Sequence, residues 1–445
     1  MDQITSSISP QPTIVLTPIR QAVPANGGTL EVLVRVQAPP KPAGEASRSS
    51  LRLALVVDRS GSMDGEPLVQ ALRCVGHIVS RLQPSDEVAV VLYDQSVQVP
   101  VKLQRAQDAG AIAAALAGVE SGGQTALFDG WQAGAAQLEA GVPGAISRVI
   151  LLSDGQANVG PSDVAAVAPH CAQWLAKGVS TTTVGLGHGF NEDLMMGMAR
   201  AGGGQSYYGQ TAEDLFDSFD EELSLLEAMF LRQLGAKAVA ADGVIVEPLN
   251  VLQPTADGRL PMTDLAWGAE SWLLLRLHVT PQPASGGAAR ALISVSLQAE
   301  AKDGQAVQLI SPVLALPVVS AEAFAALPED ELVARRLLEV NFAAASTKAR
   351  QLLLDGDIPK AKRTLAAFES QVAHNPWLKE SLMHMQALID SDADMAAKEI
   401  RYRTTRFETR LVDVHESDYA GDETNDAAVP AYLRRKAVEG RGRKQ

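Results

Sequence analysis

Aromatic side chains make up only 4% of this 445-residue chain, and there are just two cysteines. So few cysteines exclude a disulfide-stapled fold. Cys74 and Cys171 fall in helix-like segments and are expected to be buried free thiols suited to a reducing compartment. No run of about 18 apolar residues escapes charge or proline; the nearest, Leu309 to Leu327, is broken by Pro312, Pro317 and Glu322. Met1–Ser7 lack the basic region and apolar core of a secretory signal, so a cytoplasmic protein without a membrane segment is expected. Also absent are a Gly-x-x-x-x-Gly-Lys phosphate loop, a His-Glu-x-x-His helix and a Gly-x-Ser-x-Gly elbow. The seven histidines do not cluster in sequence near the candidate metal loops around Asp58, Thr125 and Asp154. Charge of one sign is also short: 38 basic against 52 acidic residues give a net charge of −14, with no basic stripe within the folded part to hold nucleic acid.

What is present begins at Asp58-Arg59-Ser60-Gly61-Ser62-Met63, directly after the apolar run Leu51–Val57 and before a helix-like segment. In an open α/β sheet, ligands bind outside the carboxyl ends of the strands. Thr125, in Gly122-Gly123-Gln124-Thr125, and Asp154, in Leu151-Leu152-Ser153-Asp154-Gly155, stand in similar positions downstream. Two carboxylates and three hydroxyls form a ligand set for a hard divalent cation, Mg²⁺ first and Mn²⁺ or Ca²⁺ as alternatives. A single Asp-x-Ser-x-Ser would read as a helix cap; three such loops in order favour a metal site. Because hydroxyls supply most of the ligands, the ion would stay short of negative charge and attract a carboxylate from outside. Asp64, Glu66 and Asp129 fall in first helical turns, where acidic groups suit the macrodipole. Arg59 is expected to face solvent or a bound partner.

At these residues the chain resembles a von Willebrand factor A domain of bacterial type carrying a metal-ion-dependent adhesion site. The resemblance covers roughly 49–230 and extends to Val184-Gly185-Leu186-Gly187, Asn191-Glu192-Asp193-Leu194 and Ala201-Gly202-Gly203-Gly204. It implies that Asp58, Ser60, Ser62, Thr125 and Asp154 surround the ion and that a partner's Asp or Glu completes the shell. It also implies a non-enzymatic binding protein, with an AAA+ ATPase or assembly system as a partner class. The competing reading is a metal-dependent hydrolase, for which no general base is evident. A third is a self-inhibited scaffold in which Asp422 or Glu423 of the tail occupies the ion.

The expected fold is a doubly wound α/β domain (49–232) inserted in a β-sandwich built from 10–48 and 233–318. A helical region (319–405) and a disordered tail, acidic then basic (406–445), follow. Strands are expected at Thr13–Thr17 and Thr29–Val36, joined by Asn26-Gly27-Gly28. In the α/β part they are expected at Arg52–Val57, Val88–Tyr93, Val97–Val101, Arg148–Leu152 and Thr181–Leu186. Later strands are Gly243–Glu247, Ser271–Val279, Ala289–Leu297 and Val307–Ile310, with His278 a surface residue. Helices are expected over Pro328–Ala345, Lys348–Asp355, Pro359–Val372 and Pro376–Asp390. The turn Asp355-Gly356-Asp357 suggests one tetratricopeptide-like hairpin or a plain helical cap. Near the end, Tyr432, Leu433, Arg434 and Arg435 read either as a solvated terminus or as a short docking peptide.

Overall fold

The computed structural model describes residues 11–413, apart from 43–47, 188, 210, 212–213, 251, 253, 256, 284–288 and 410. The chain opens with β1 (Thr13–Pro18), β2 (Val23–Pro24) and β3 (Gly28–Gln37). β1 and β3 pair antiparallel. The expected turn is present. Gly27 has φ +74°, and a Cβ there would lie 2.7 Å from the Val279 carbonyl, so only glycine fits.

The α/β part then alternates strand and helix: β4 (Ser50–Asp58), α1 (Glu66–Arg81), β5 (Glu87–Tyr93), β6 (Val97–Arg105) and α2 (Ala109–Ala115). It continues through α3 (Leu127–Leu138), β7 (Ala145–Ser153), α4 (Val164–Ala176), β8 (Val179–Leu186), α5 (Glu192–Ala201), β9 (Gly203–Gly209) and α6 (Leu215–Glu227). The sheet order is β6-β5-β4-β7-β8-β9, antiparallel only at β5–β6. Both faces are covered. Leu51, Leu53, Leu55 and Val57 of β4 pack with α1 and α6, while Ala54 and Val56 pack with α3 and α5. That double burial explains why these strands read as continuous apolar runs instead of alternating. β9 was not expected, because Gly-Gly-Gln-Ser-Tyr-Tyr-Gly reads as loop.

Strands return with β10 (Met229–Ala240), β11 (Val244–Pro248), β12 (Leu260–Pro261), β13 (Leu265–Ala266) and β14 (Ala269–Val279). β15 (Ala289–Ala301), β16 (Ala306–Ile310) and β17 (Leu314–Val319) complete them. They form two sheets, β1-β3-β14-β11 and β12-β10-β15-β17-β2, with β13 and β16 alongside the second. β3 pairs with β14 from Gln37–Glu270 to Gly28–Val279, joining strands that precede and follow the α/β part. His278 lies on the surface as expected, its Nε2 2.8 Å from Glu247 Oε2.

The C-terminal region comprises α7 (Ala321–Ala326), α8 (Glu331–Leu354), α9 (Ile358–Ala366), α10 (Glu369–Val372), α11 (Pro376–Ser391) and α12 (Ala393–Thr409). Two expectations are corrected. The break expected between Ala345 and Lys348 does not occur: α8 runs through, because no Gly or Pro interrupts it and Ser346 is buried with its Oγ toward Met385 Sδ. Nor is the start of the tail disordered. α12 extends to Thr409, and β18 (Val412–Asp413) pairs with Ala269 and Glu270 of β14. Phe407, Leu411 and Val412 are buried there, which the acidic composition further along concealed. Tyr432, Leu433, Arg434, Arg435, Asp422 and Glu423 lie outside the described residues. No helix among the described residues is long and apolar enough to cross a membrane.

A buried ionic cluster ties the α/β part to the later strands. Arg148 of β7, 2% exposed, donates to Glu222 Oε1 of α6 at 2.8 Å and Asp264 Oδ2 at 3.2 Å. Glu222 also accepts from Thr182 Oγ1 and the Tyr207 hydroxyl, and Asp264 Oδ1 accepts from the Gln233 N–H. Removing one partner of a buried pair leaves an uncompensated charge and costs about 3–5 kcal/mol. Glu222→Ala should therefore lower the unfolding free energy measured by urea titration by an amount in that range; a loss under about 1 kcal/mol would show that Asp264 alone satisfies Arg148.

Candidate functional site

β4 and β7 lie side by side at the centre of the sheet, so their carboxyl ends bring Asp58 and Asp154 together. Asp58 is fully buried at the last residue of β4. Its Oδ1 accepts the Ser60 N–H at 2.8 Å; its Oδ2 accepts the Ser153 hydroxyl at 2.6 Å and the Tyr93 hydroxyl at 3.3 Å. The Ser60–Met63 turn that follows lifts Ser62 over the strand end. Ser62 Oγ donates to Asp154 Oδ1 at 2.7 Å and lies 3.2 Å from Ser60 Oγ.

Thr125 arrives from the loop before α3, and the other two loops hold it there. The Gly61 N–H donates to the Gly123 carbonyl and the Gly122 N–H to the Arg59 carbonyl, which knits the first loop to the second. Asn158 Oδ1 accepts the Thr125 N–H at 2.8 Å, while the Asn158 and Val159 N–H groups donate to the Thr125 carbonyl. Asn158 is thus a positioning residue that the sequence reading missed; a loop amide carries no periodic signal.

The five expected ligands therefore converge. Gly155 marks the centre: a Cβ built there would lie 3.2 Å from Ser62 Oγ, 3.3 Å from Thr125 Oγ1 and 3.9 Å from Ser60 Oγ. Three hydroxyls ring a space that one methyl group would fill, and glycine keeps it open. All the donors are oxygens, and two belong to carboxylates, which fits a hard divalent cation. Among the described residues no group of three or more His, Cys, Asp or Glu is arranged to hold a metal ion, so a candidate centre depends on these hydroxyls.

Burial shapes the electrostatics. Desolvation pushes the Asp154 carboxyl up from 3.8 to about 6; the Ser62 hydrogen bond opposes this and the neighbouring Asp58 charge adds to it. Asp58 is also raised by burial, against the pull of its Ser153, Ser60 and Tyr93 hydrogen bonds. Tyr93, buried and beside Asp58, is held well above its ordinary range and stays a donor. Two close carboxylates that resist ionisation favour a cation between them.

The flanking residues divide. Asp129 and Glu66 occupy first helical turns as expected. Asp64 precedes α1 and instead accepts the Ser121 hydroxyl at 2.6 Å. Arg59 does not extend into solvent. Its guanidinium pairs with Asp94 Oδ2 at 2.9 Å. Burial opposes ionisation of Asp94, but the Ser96 hydrogen bonds and Arg59 outweigh it and hold that carboxyl below its usual range. Cys74 and Cys171 are buried free thiols, each pushed up to about 12 by burial.

Residues 53–222 match the von Willebrand factor type A domain, so the chain carries that domain. Over 275 residues the chain is 26% identical to an uncharacterized protein of Synechocystis sp., covering 58% of this chain and 64% of that protein. It is 25% identical over 208 residues to the uncharacterized protein YfbK of Escherichia coli, covering 46% of this chain and 36% of that one. The chain therefore spans less than two thirds of each of these relatives. Among solved structures, a von Willebrand factor type A protein of Catenulispora acidiphila superposes with a TM-score of 0.69 at 18% identity, covering 89% of this chain and 97% of that one. The ArnB paralog VWA2 of Sulfolobus acidocaldarius gives 0.57 at 16% identity, over 88% and 98%. At such identities the likeness is one of fold. It extends over most of the chain, including the strands and helices outside the α/β part.

The raised Asp154 value sets a pH dependence. Between 3.8 and about 6 the folded state binds more protons than the unfolded one, so the ion-free protein loses stability as pH rises through that window. A cation binds the ionised form and competes with the proton. The rise in Tm on adding Mn²⁺ should be small at pH 5 and larger at pH 7.5. An equal or smaller rise at pH 7.5 would contradict the ligand role of Asp154.

Proposed function

We propose that this protein is a cytoplasmic, non-enzymatic binding module whose α/β domain recognises a protein partner through a Mg²⁺-type ion held by Asp58, Ser60, Ser62, Thr125 and Asp154. The von Willebrand factor type A domain is a type that commonly mediates protein–protein interaction, and the observation that carries the finer reading is the hydroxyl-ringed space above Gly155. When bound, the cation would supply an open coordination position to a partner's Asp or Glu. The chain's own residues prepare that position. Ser153, Tyr93 and the Ser60 N–H fix Asp58, while Asn158 fixes Thr125. Neutral hydroxyls leave the site short of negative charge, so an incoming carboxylate meets attraction and not a filled shell. The two sheets outside the α/β part, antiparallel except at β2–β17, are read as a sandwich that, with the C-terminal helices, forms the scaffold. An AAA+ ATPase or assembly system remains the partner class proposed on resemblance.

Capture from native lysate tests this, with wild-type, Asp58→Ala and Gly155→Ala baits in Mg²⁺ and in chelator. Gly155→Ala keeps all five ligands but fills the space between them. A partner retained only by wild type with Mg²⁺ supports the reading. Retention by all three baits in chelator would move recognition to another surface and leave the ion no part in it.

A further inference from the structure

Between Gly189 and Asp193 the chain touches the Asp154 loop on one side and the C-terminal helices on the other. A Cβ at Gly189 would lie 2.7 Å from the Asp154 carbonyl, so the two backbones are in direct contact beside the candidate ligand. Asn191 caps α5 and its amide donates to the Ser162 carbonyl, a second tie to the stretch beyond Asp154. The Phe190 ring is buried against Gly185, where a Cβ would meet it at 2.4 Å, and meets Tyr208 at a tilt and Tyr402 edge-on. This segment has little room to shift alone.

Three cations from two C-terminal helices hold it from outside. Lys398 of α12 donates to the Phe190 carbonyl at 2.9 Å and lies 3.7 Å from Glu192 Oε2. Arg350 of α8 reaches Glu192 Oε1 and Asp193 Oδ2, both at 3.0 Å. Arg401 pairs with Asp193 Oδ1 at 3.2 Å. Lys398, Arg350 and Glu192 are mostly buried, at 15%, 13% and 14% exposure, where screening by water is weak. Asp193 is half exposed and contributes less. Lys398 differs from the arginines because its ammonium grips the main chain itself.

We propose that Lys398, supported by Arg350 and Arg401, is a positioning residue for the ion site: the C-terminal helices press residues 189–193 against the Asp154 loop and thereby raise the affinity for a divalent cation. This rests on the ion-binding reading above. Close-packed segments pass a displacement on instead of absorbing it, and a ligand constellation left loose by even about 1 Å binds poorly. The coupling is reciprocal, so the ion must also steady the helix contact.

The test is a Mn²⁺ titration of the full chain in wild type, Lys398→Met, Lys398→Arg and Glu192→Gln, with backbone amide exchange measured over 189–193. Lys398→Met should raise the Kd for Mn²⁺ at least about fivefold, within the usual range of coupling between sites. Lys398→Arg should restore it, and Mn²⁺ should slow exchange over 189–193 in wild type but not in Lys398→Met. A Kd unchanged in Lys398→Met, even with a lowered Tm, would make the contact purely structural and overturn the proposal. If Lys398→Met fails to fold, Glu192→Gln decides, since Lys398 and Arg350 both reach that carboxylate: a raised Kd supports the coupling and an unchanged one ends it. A wild type that binds no Mn²⁺ would remove the ion reading and this inference together, an outcome distinct from unchanged affinity in the variant.

Discussion

A carboxylate buried at the end of a central strand must find hydrogen bonds or a cation, and Asp58 organises the site around that requirement. Ser153, Tyr93 and the Ser60 N–H meet it in part. Each donor comes from a different place: the adjacent strand β7, the strand β5 on the other side and the turn that follows β4. Satisfying one side chain therefore fixes the relative position of three chain segments. The turn that caps Asp58 also raises Ser60 and Ser62, so the anchor and the open hydroxyls arise from the same local geometry.

The rest of the molecule keeps that geometry rigid. α1 and α6 cover one face of the sheet, and α3, α4 and α5 the other. The Arg148–Glu222–Asp264 cluster joins β7, whose far end carries Asp154, to α6 and to the strands beyond it. β9 would be an open edge, but α12 lies beside it: Tyr402 donates to the Tyr207 carbonyl, and the Tyr208 hydroxyl reaches Met395 Sδ. A covered edge is protected from pairing with other chains. The C-terminal helices are thus packed against the α/β part, which is why their cations can act on the segment beside Asp154.

Much of this was legible in the sequence where burial and local pattern coincide. The apolar run before Asp58, the loop residues at three strand ends and the Asn26-Gly27-Gly28 turn all carry short-range signals. β9 was hidden because its glycines look like a loop. A Cβ at Gly204 would fall 2.2 Å from the Thr181 carbonyl, so glycine is what lets that strand lie against β8. Arg148 was hidden for another reason: its partners stand 74 and 116 residues away, and no local window links them. α12 resists a periodicity reading because its inward face includes Glu399 and Arg403, charged residues buried against each other. Arg59 looked solvent-facing since its partner, Asp94, belongs to a different loop.

The proposed ion would sit among Ser60, Ser62 and Thr125 at the carboxyl ends of β4 and β7. The most direct measurement is anomalous diffraction at the manganese edge from crystals grown with Mn²⁺. A peak above Gly155, bounded by the hydroxyls of Ser60, Ser62 and Thr125, is the expected result. Crystals with manganese bound elsewhere and none at this position would contradict it.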